Sequence, residues 1–279
     1  MKKSYSKAVL CRICAFVVCL ICLNLFAWDQ DFDQGGLEQE PPNAGSDWQY
    51  FSTVDRSFTI SGELIASAAF LWEQGKRGVG TVARPADARA MFQVFDHIEI
   101  QPDGNHSFRV GDSLDVITIG ERVSHGGKRY RLTRRIGRVV IGGATERNVT
   151  AQIVKLWDTM KGGETIVPAN SFKPLSFESL EKASHTIETS VLTRVEDTET
   201  PYPMQMFLID KGKDAGVRMG DVFSVLGRKS RLGAEEEFLM GSVIHLSDNY
   251  ATLLIVKMFE NRLGTGNKAL LRMRMSEEW

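Results

Sequence analysis

Apolar and polar residues alternate along Leu114-Asp115-Val116-Ile117-Thr118-Ile119 and along Val149-Thr150-Ala151-Gln152-Ile153. A period of two places every second side chain on one face, the mark of a strand with one buried side. Similar segments, rich in branched and aromatic residues and separated by Gly, Asp and Asn, recur along the chain. The pattern predicts strands at Gly80–Arg84, His97–Gln101, Ser113–Ile119, Ile136–Ile141, Val149–Trp157 and Glu164–Val167. A second series is predicted at Ser190–Val195, Met206–Asp210, Val222–Leu226, Met240–Leu246, Ala251–Phe259 and Lys268–Met273. A further strand pair is expected within Ser57–Phe70, and a short helix over Ser176–Ser184.

The two series repeat one another at an offset of 109 residues. Phe108-Arg109-Val110-Gly111-Asp112-Ser113 aligns with Val217-Arg218-Met219-Gly220-Asp221-Val222. Val82, Asp87, Ile98 and Ile100 fall on Val191, Glu196, Phe207 and Ile209. Small gaps then bring Gly137 onto Gly241, Ala151–Lys155 onto Leu253–Lys257, Trp157 onto Phe259 and Asp158 onto Glu260. Self-similarity of this length points to a duplicated unit. Five or six short strands per unit suit a small closed or partly closed barrel, because closure removes exposed edges. The expected fold class is therefore mainly all-β, with two tandem barrel-like units after an N-terminal leader.

The leader has a different character. Lys2, Lys3, Lys7 and Arg12 precede an apolar run from Ile13 to Ala27. That run has the length of a signal-peptide core and is short for a bilayer span, which needs about 20 residues. Residues 1–27 are expected to be an export signal cleaved after Ala27, with an uncleaved anchor as the alternative. Residues 28–49 read as an acidic flexible linker, 50–170 as the first unit, 171–186 as a connection and 187–279 as the second unit. Within the linker, Asp29, Asp31, Asp33 and Glu40 match positions 1, 3, 5 and 12 of a calcium loop. Gln34 stands where its turn needs glycine, so a solvated acidic segment is the better reading.

Composition then narrows the chemistry. All four cysteines (Cys11, Cys14, Cys19 and Cys22) lie in the predicted signal, so no disulfide or thiol chemistry is expected beyond it. The formal charge of −1 becomes −5 once that segment's four cations are set aside, leaving 30 basic and 35 acidic side chains. Nucleic acid is not an expected partner for such a chain. His97, His106, His125, His185 and His245 form no HxH or HExxH spacing, so neither a metal nor another cofactor is expected. Ser124 and His125 are adjacent, but no nucleophile elbow or acid–base set accompanies them, and the chain reads as non-enzymatic.

Two features remain as candidate sites. Gly111-Asp112 and Gly220-Asp221 read as turns in which glycine takes a positive φ and aspartate bonds following backbone amides. The basic cluster Lys128, Arg129, Arg131, Arg134, Arg135 and Arg138 reads as a loop whose counterpart carries the acidic run Glu235, Glu236 and Glu237. Opposite charges at equivalent places would link the units or neighbouring molecules, against the plainer reading of two solvated hairpin tips. Trp48, Trp72 and Trp157 are the aromatic candidates for a sugar platform, though Trp157 and its mate Phe259 suit packing in both units.

The order of strand, Gly-Asp, strand, Gly-x-Val-x-Val and Ala-x-Ile-Val resembles the C-terminal β-domain of the flagellar assembly protein FlgT. It also resembles the β-module that follows LysM domains in exported bacterial proteins. The resemblance runs over residues 57–274. Gly111, Asp112, Gly137, Ile153, Val154 and Gly162 or Gly163 carry it in the first copy. Gly220, Asp221, Gly241, Ile255, Val256 and Gly264 or Gly266 carry it in the second. It implies a periplasmic or cell-envelope protein with a structural, assembly or protein-interaction role. Envelope proteins or self-association are then the expected partners, and membrane contact would come only through an uncleaved N-terminus. Binding of peptidoglycan or another surface polysaccharide is the alternative, although no segment resembles a LysM module.

Overall fold

The computed structural model describes residues 59–275 except 84–90, 105, 146–147, 178–179, 197, 199 and 229–232. The expected signal, the acidic linker with its calcium-loop match, Asp87 and Trp48 lie outside them. The described residues fall in a single compact unit, Thr53–Trp279, and are mainly β.

The chain begins with β1 (Thr59–Ile60), a one-turn helix α1 (Gly62–Ala66) and β2 (Phe70–Glu73). It continues through β3 (Gly80–Val82), β4 (His97–Pro102), β5 (Ser113–His125), β6 (Lys128–Ala144), β7 (Val149–Leu156) and β8 (Thr165–Pro168). The connection carries β9 (Leu175–Ser176) and β10 (Leu180–Lys182). Then come β11 (Glu188–Arg194), β12 (Met206–Ile209), β13 (Val222–Arg228), β14 (Glu235–Leu246), β15 (Ala251–Met258) and β16 (Lys268–Met275).

Two of the expectations for the connecting segments are corrected. Within Ser57–Phe70 the backbone turns through α1 rather than running as a strand pair. The Ser61 hydroxyl caps this helix by accepting the Leu64 N–H at 3.2 Å. The described residues of Ser176–Ser184 do not form a helix. Leu175 and Ser176 pair with Ile60 and Thr59, and Leu180–Lys182 pair with Met275–Met273. Edges offered by β1 and β16 outweigh the weak local helix preference.

Each series of strands closes into a six-strand ring. The first runs β3-β4-β7-β6-β5-β8 and back to β3, with β2 added outside on β6. The second runs β11-β12-β15-β14-β13-β16 and back to β11, with β10 added on β16. The strand order is the same in both, and so is the register. Val82 pairs with Ile100 as Val191 pairs with Ile209. Bulges fall at Arg138/Val139 and Ile141/Gly143 in one ring, and at Met240/Gly241 and Val243/His245 in the other.

The ladders revise one alignment drawn from sequence. Val139 faces Ile153 as Gly241 faces Ile255, so Val139, not Gly137, is the positional mate of Gly241. Gly137 corresponds instead to Leu239, for each lies opposite the end of its neighbour, at Leu156 and Met258. Matching the two glycines by residue type shifts the alignment by two residues.

Inward residues fill each barrel. Val116, Val139, Ala151, Ile153 and Ile166 are fully buried in the first, and Phe207, Phe223, Val225, Leu253 and Ile255 in the second. The N-terminal segment joins the two. Ala69–Trp72 pack with Ile117, Tyr130 and Leu132 of the first barrel and with Leu208 and Tyr250 of the second. Ile60, Ile65 and Ala68 pack with Met206, Ile244 and Leu254. Backbone groups of this segment are also bonded across. The Leu71 N–H donates to the Tyr250 hydroxyl at 2.9 Å, and the Thr252 hydroxyl donates to the Ala69 carbonyl at 2.7 Å.

Candidate functional site

The Gly-Asp turns are built alike. Gly111 and Gly220 have φ of 93° and 78°, the left-handed region that favours glycine. Their N–H groups donate to Ile141 and Val243 carbonyls at 2.8 and 2.9 Å. The aspartate carboxylates bond backward, not forward: Asp112 accepts the Arg109 N–H at 2.8 Å and Asp221 the Arg218 N–H at 2.9 Å. A carboxylate bound three residues back locks the turn from its N-terminal side. The repeated arginine thus supplies its backbone to the aspartate. The copies diverge in one respect. Asp221 is fully buried and holds Arg274 in a two-point pair at 2.8 and 2.9 Å, whereas Asp112 is only half-buried.

The basic cluster does not sit on a loop. β5 and β6 continue to the Gly126-Gly127 turn, where both glycines have positive φ, and the cationic residues lie along the β6 strand of this hairpin. Lys128 is exposed 3.7 Å from Glu73, and Arg129 is exposed opposite Ser124. Arg131 donates to the Gly120 carbonyl at 2.7 Å, and Arg134 pairs with Asp158 at 3.2 Å. Arg135 and Arg138 turn inward. Both engage the fully buried Asp115, at 3.4 and 2.7 Å, and the Arg135 guanidinium lies over the rings of Phe70 and Phe172. Burial lowers the Arg135 pKa against the opposing pull of Asp115.

The acidic run occupies the equivalent register. Arg134 and Arg135 face Thr118 and Ile117, and Glu236 and Glu237 face Gly227 and Leu226. Two of its members pair within their own barrel: Glu235 lies 3.5 Å from Arg228 and Glu237 lies 3.9 Å from Arg272. The two charged runs are not brought together. Contacts that cross between the barrels include the apolar packing and the Tyr250 and Thr252 hydrogen bonds of the seam, together with a contact of 3.0 Å between His125 Nε2 and the Asn249 carbonyl. Trp72 is buried in that seam, and Trp157 is half-buried 5.8 Å from the Arg138 guanidinium, so neither lies open as a sugar platform. Phe259 differs from its mate by being 39% exposed, beneath Lys257. Among the described residues no group of three His, Asp or Glu side chains is placed to hold a metal ion.

Sequence reading passed over the most unusual backbone in the chain. Phe95 and Met204 have φ of 74° and 69°, and no other described non-glycine residue has a positive φ. For bulky side chains this is a strained state, costing roughly 1–3 kcal/mol. Both are solvent-facing, at 71% and 53% exposure. They occupy the same position, one turn before β4 and β12. Phe95 and Met204 donate N–H to the carbonyls of Ile153 and Ile255, while their side chains stay outside the barrel cores. The next residues hold the turns closed: the Asp96 side chain accepts the Gln93 N–H at 2.9 Å, and the Gln205 side chain accepts the Tyr202 N–H at 3.0 Å. Exposed Met91 and Val94 flank Phe95, and exposed Tyr202 flanks Met204. The 109-residue offset already aligned these positions, but an apolar residue beside a strand reads as core.

A cleft of about 350 Å³ opens between the barrels, lined by Thr118, Glu121 and Arg134 on one side and Thr193, Arg194 and Glu196 on the other. Burial raises the Glu196 carboxyl above its ordinary range, although that carboxyl accepts the Met206 N–H at 3.1 Å. Arg194 is held by the Thr198 carbonyl. No protein-family model matches this chain, and no curated protein is significantly similar to it.

Proposed function

We propose that the protein is an exported, non-enzymatic component of the cell envelope that works as an assembly or protein-interaction module. The carrying observation is the pair of strained, exposed apolar turns at Phe95 and Met204, one on each barrel. A backbone cost of this kind persists where a side chain must be held outward. Exposed aromatic and methionine side chains on rigid supports are the usual anchors of protein interfaces. The predicted export signal and the resemblance to an envelope assembly domain support the location.

The experiment is affinity capture from envelope extracts with the processed protein and with a Phe95→Asp/Met204→Asp variant. Specific partner capture by the native protein, lost in the variant, supports the reading. No specific partner, or equal capture by both, counts against it. Sedimentation with purified peptidoglycan, if it carries the protein down, would favour the polysaccharide alternative instead.

A further inference from the structure

We propose that the open edge of β5, over Thr118–His125, accepts an extended acidic segment of a partner protein as an added strand. The inference rests on the interaction-module reading and names a second surface within it, separate from the Phe95 and Met204 turns.

The edge follows from the ladders. β6 pairs with β5 over nearly its whole length, whereas β8 covers the other side of β5 only from Leu114 to Ile117. Beyond Ile117 no strand among the described residues pairs with that outer side. β11 has a matching end. β16 covers it from Glu188 to Ser190, Val191 bonds the Asn267 carbonyl, and past that point Thr193 and Arg194 pair with β12 alone. The two edges form opposite walls of the inter-barrel cleft. An exposed strand edge presents a row of backbone donors and acceptors whose natural complement is another extended backbone. Eight residues of β5 span about 27 Å, enough for a short added strand.

Charge selects the kind of strand. Between Thr118 and Arg134 the hairpin carries Arg122, Lys128, Arg129, Arg131 and Arg134 and, within it, the single acid Glu121. Glu73 and Asp158 on neighbouring segments offset Lys128 and Arg134. Arg122, Arg129 and Arg131 keep the balance positive, and Arg194 stands across the cleft. Glu196, the other acid of the cleft, is occupied by the Met206 N–H. A second copy docking edge to edge would set these cations against their own equivalents, which is the usual way such edges are kept from self-pairing. An acidic strand meets the opposite field and is steered towards it. The bulge between Ile119 and Arg122, where Arg131 caps the Gly120 carbonyl, interrupts the edge. Pairing is therefore expected to be strongest on its two sides, at Thr118–Ile119 and Arg122–His125.

Hydrogen exchange on the processed protein tests this with three probes. These are a ten-residue peptide of alternating valine and glutamate, its valine–lysine counterpart, and the glutamate peptide with alternate amides N-methylated. The glutamate peptide is expected to slow exchange in Thr118–His125, and the other two to leave it unchanged. Arg122→Glu and Arg134→Glu are each expected to weaken the glutamate peptide by about fivefold, with circular dichroism showing that the fold is kept. Phe95→Asp/Met204→Asp is expected to bind the peptide normally, which separates failure here from failure of the broader reading. No protection of this edge at millimolar peptide overturns the proposal. So does equal binding of the lysine or N-methylated peptide, and so does concentration-dependent protection without any peptide, which would assign the edge to a second copy.

Discussion

Phe207 occupies the space that a side chain at Gly241 would need: a Cβ added to Gly241 would lie 2.7 Å from the phenyl Cζ. At the same two places the first barrel has Ile98 and Val139, both buried. The barrels thus fill one core layer with different divisions of volume, large plus none against two of middle size. Gly241→Val alone is expected to overpack the second barrel and cost about 1–3 kcal/mol or more. Phe207→Ile alone leaves a void costing about 1–2 kcal/mol. The double variant is expected to recover most of both losses, giving a coupling of at least about 1 kcal/mol in urea denaturation. Simple additivity would show that the two positions do not share this layer.

That exchange explains where sequence reading worked and where it slipped. The strands were visible because inward residues such as Val116, Ile153, Val225 and Ile255 keep their period whatever their size. Gly241 and Gly137 look alike as letters, but one makes room for Phe207 and the other for the backbone of Lys155, which only three-dimensional packing distinguishes. The basic cluster was legible as charge. Its division into exposed Lys128 and Arg129 and inward Arg135 and Arg138 depended on Asp115, a residue that reads as one more polar position of an alternating strand. Phe95 and Met204 escaped notice because backbone φ leaves no trace in residue type when the residue is neither Gly nor Asn. The Ser176–Ser184 segment failed for the opposite reason, its pairing partners being about a hundred residues away at either side.

The two Gly-Asp turns share their local bonds, yet their aspartates should differ sharply in weight. Asp112→Ala removes one backbone-to-carboxylate bond at a half-buried site and is expected to cost about 1 kcal/mol. Asp221→Ala also removes the buried counter-charge of the Arg274 guanidinium, whose side chain is 13% exposed and keeps the Gly216 carbonyl, and should cost about 3–5 kcal/mol. Asp115→Ala, which removes the partner of Arg135 and Arg138, is expected to match Asp221→Ala rather than Asp112→Ala. Thermal or urea unfolding of the three variants gives the order directly. Equal losses for Asp112 and Asp221 would contradict the contribution assigned to the arginine pair.

The seam between the barrels offers a conservative test of how they are joined. The Tyr250 hydroxyl accepts the buried Leu71 N–H, and the Thr252 hydroxyl donates to the Ala69 carbonyl. Tyr250→Phe and Thr252→Val keep shape while leaving a backbone group without its partner. Each is expected to cost about 1–3 kcal/mol. If these bonds couple the barrels, the double variant unfolds in two resolved steps while the native protein unfolds in one. A single transition in the double variant would place the coupling in the apolar packing of Phe70, Leu71 and Trp72 alone.

His245 gives the fold a defined sensitivity to acid. Its ring lies 5.9 Å from Phe70 and 6.0 Å from Tyr250, in the seam. Burial, reinforced by the positive charges of Arg135 and Lys213, lowers its pKa from 6.5 to about 4. In the unfolded chain the imidazole takes its proton near 6.5, whereas in the folded protein it stays neutral until about 4. Between these values the unfolded state binds more protons, so stability is full above about pH 7 and declines as pH falls to 4. The depressed pKa sets the loss from this group at about 3 kcal/mol at most. Glu196 acts in the opposite sense. Burial raises its pKa, so its contribution is complete below 4.5 and is lost as pH rises through its folded value. Asp210 is held low despite burial by the hydroxyls of Thr189 and Ser190 and the Ser190 N–H, and its stabilisation is lost only on acidification through that lowered value, beneath its ordinary 3.8. The difference between the native protein and His245→Phe therefore isolates the histidine. A phenyl ring suits the neighbouring aromatic pair, and the variant is expected to show a flatter stability profile between pH 7 and 4. Urea midpoints at unit pH intervals measure it, and parallel profiles for the two proteins would remove His245 from the account.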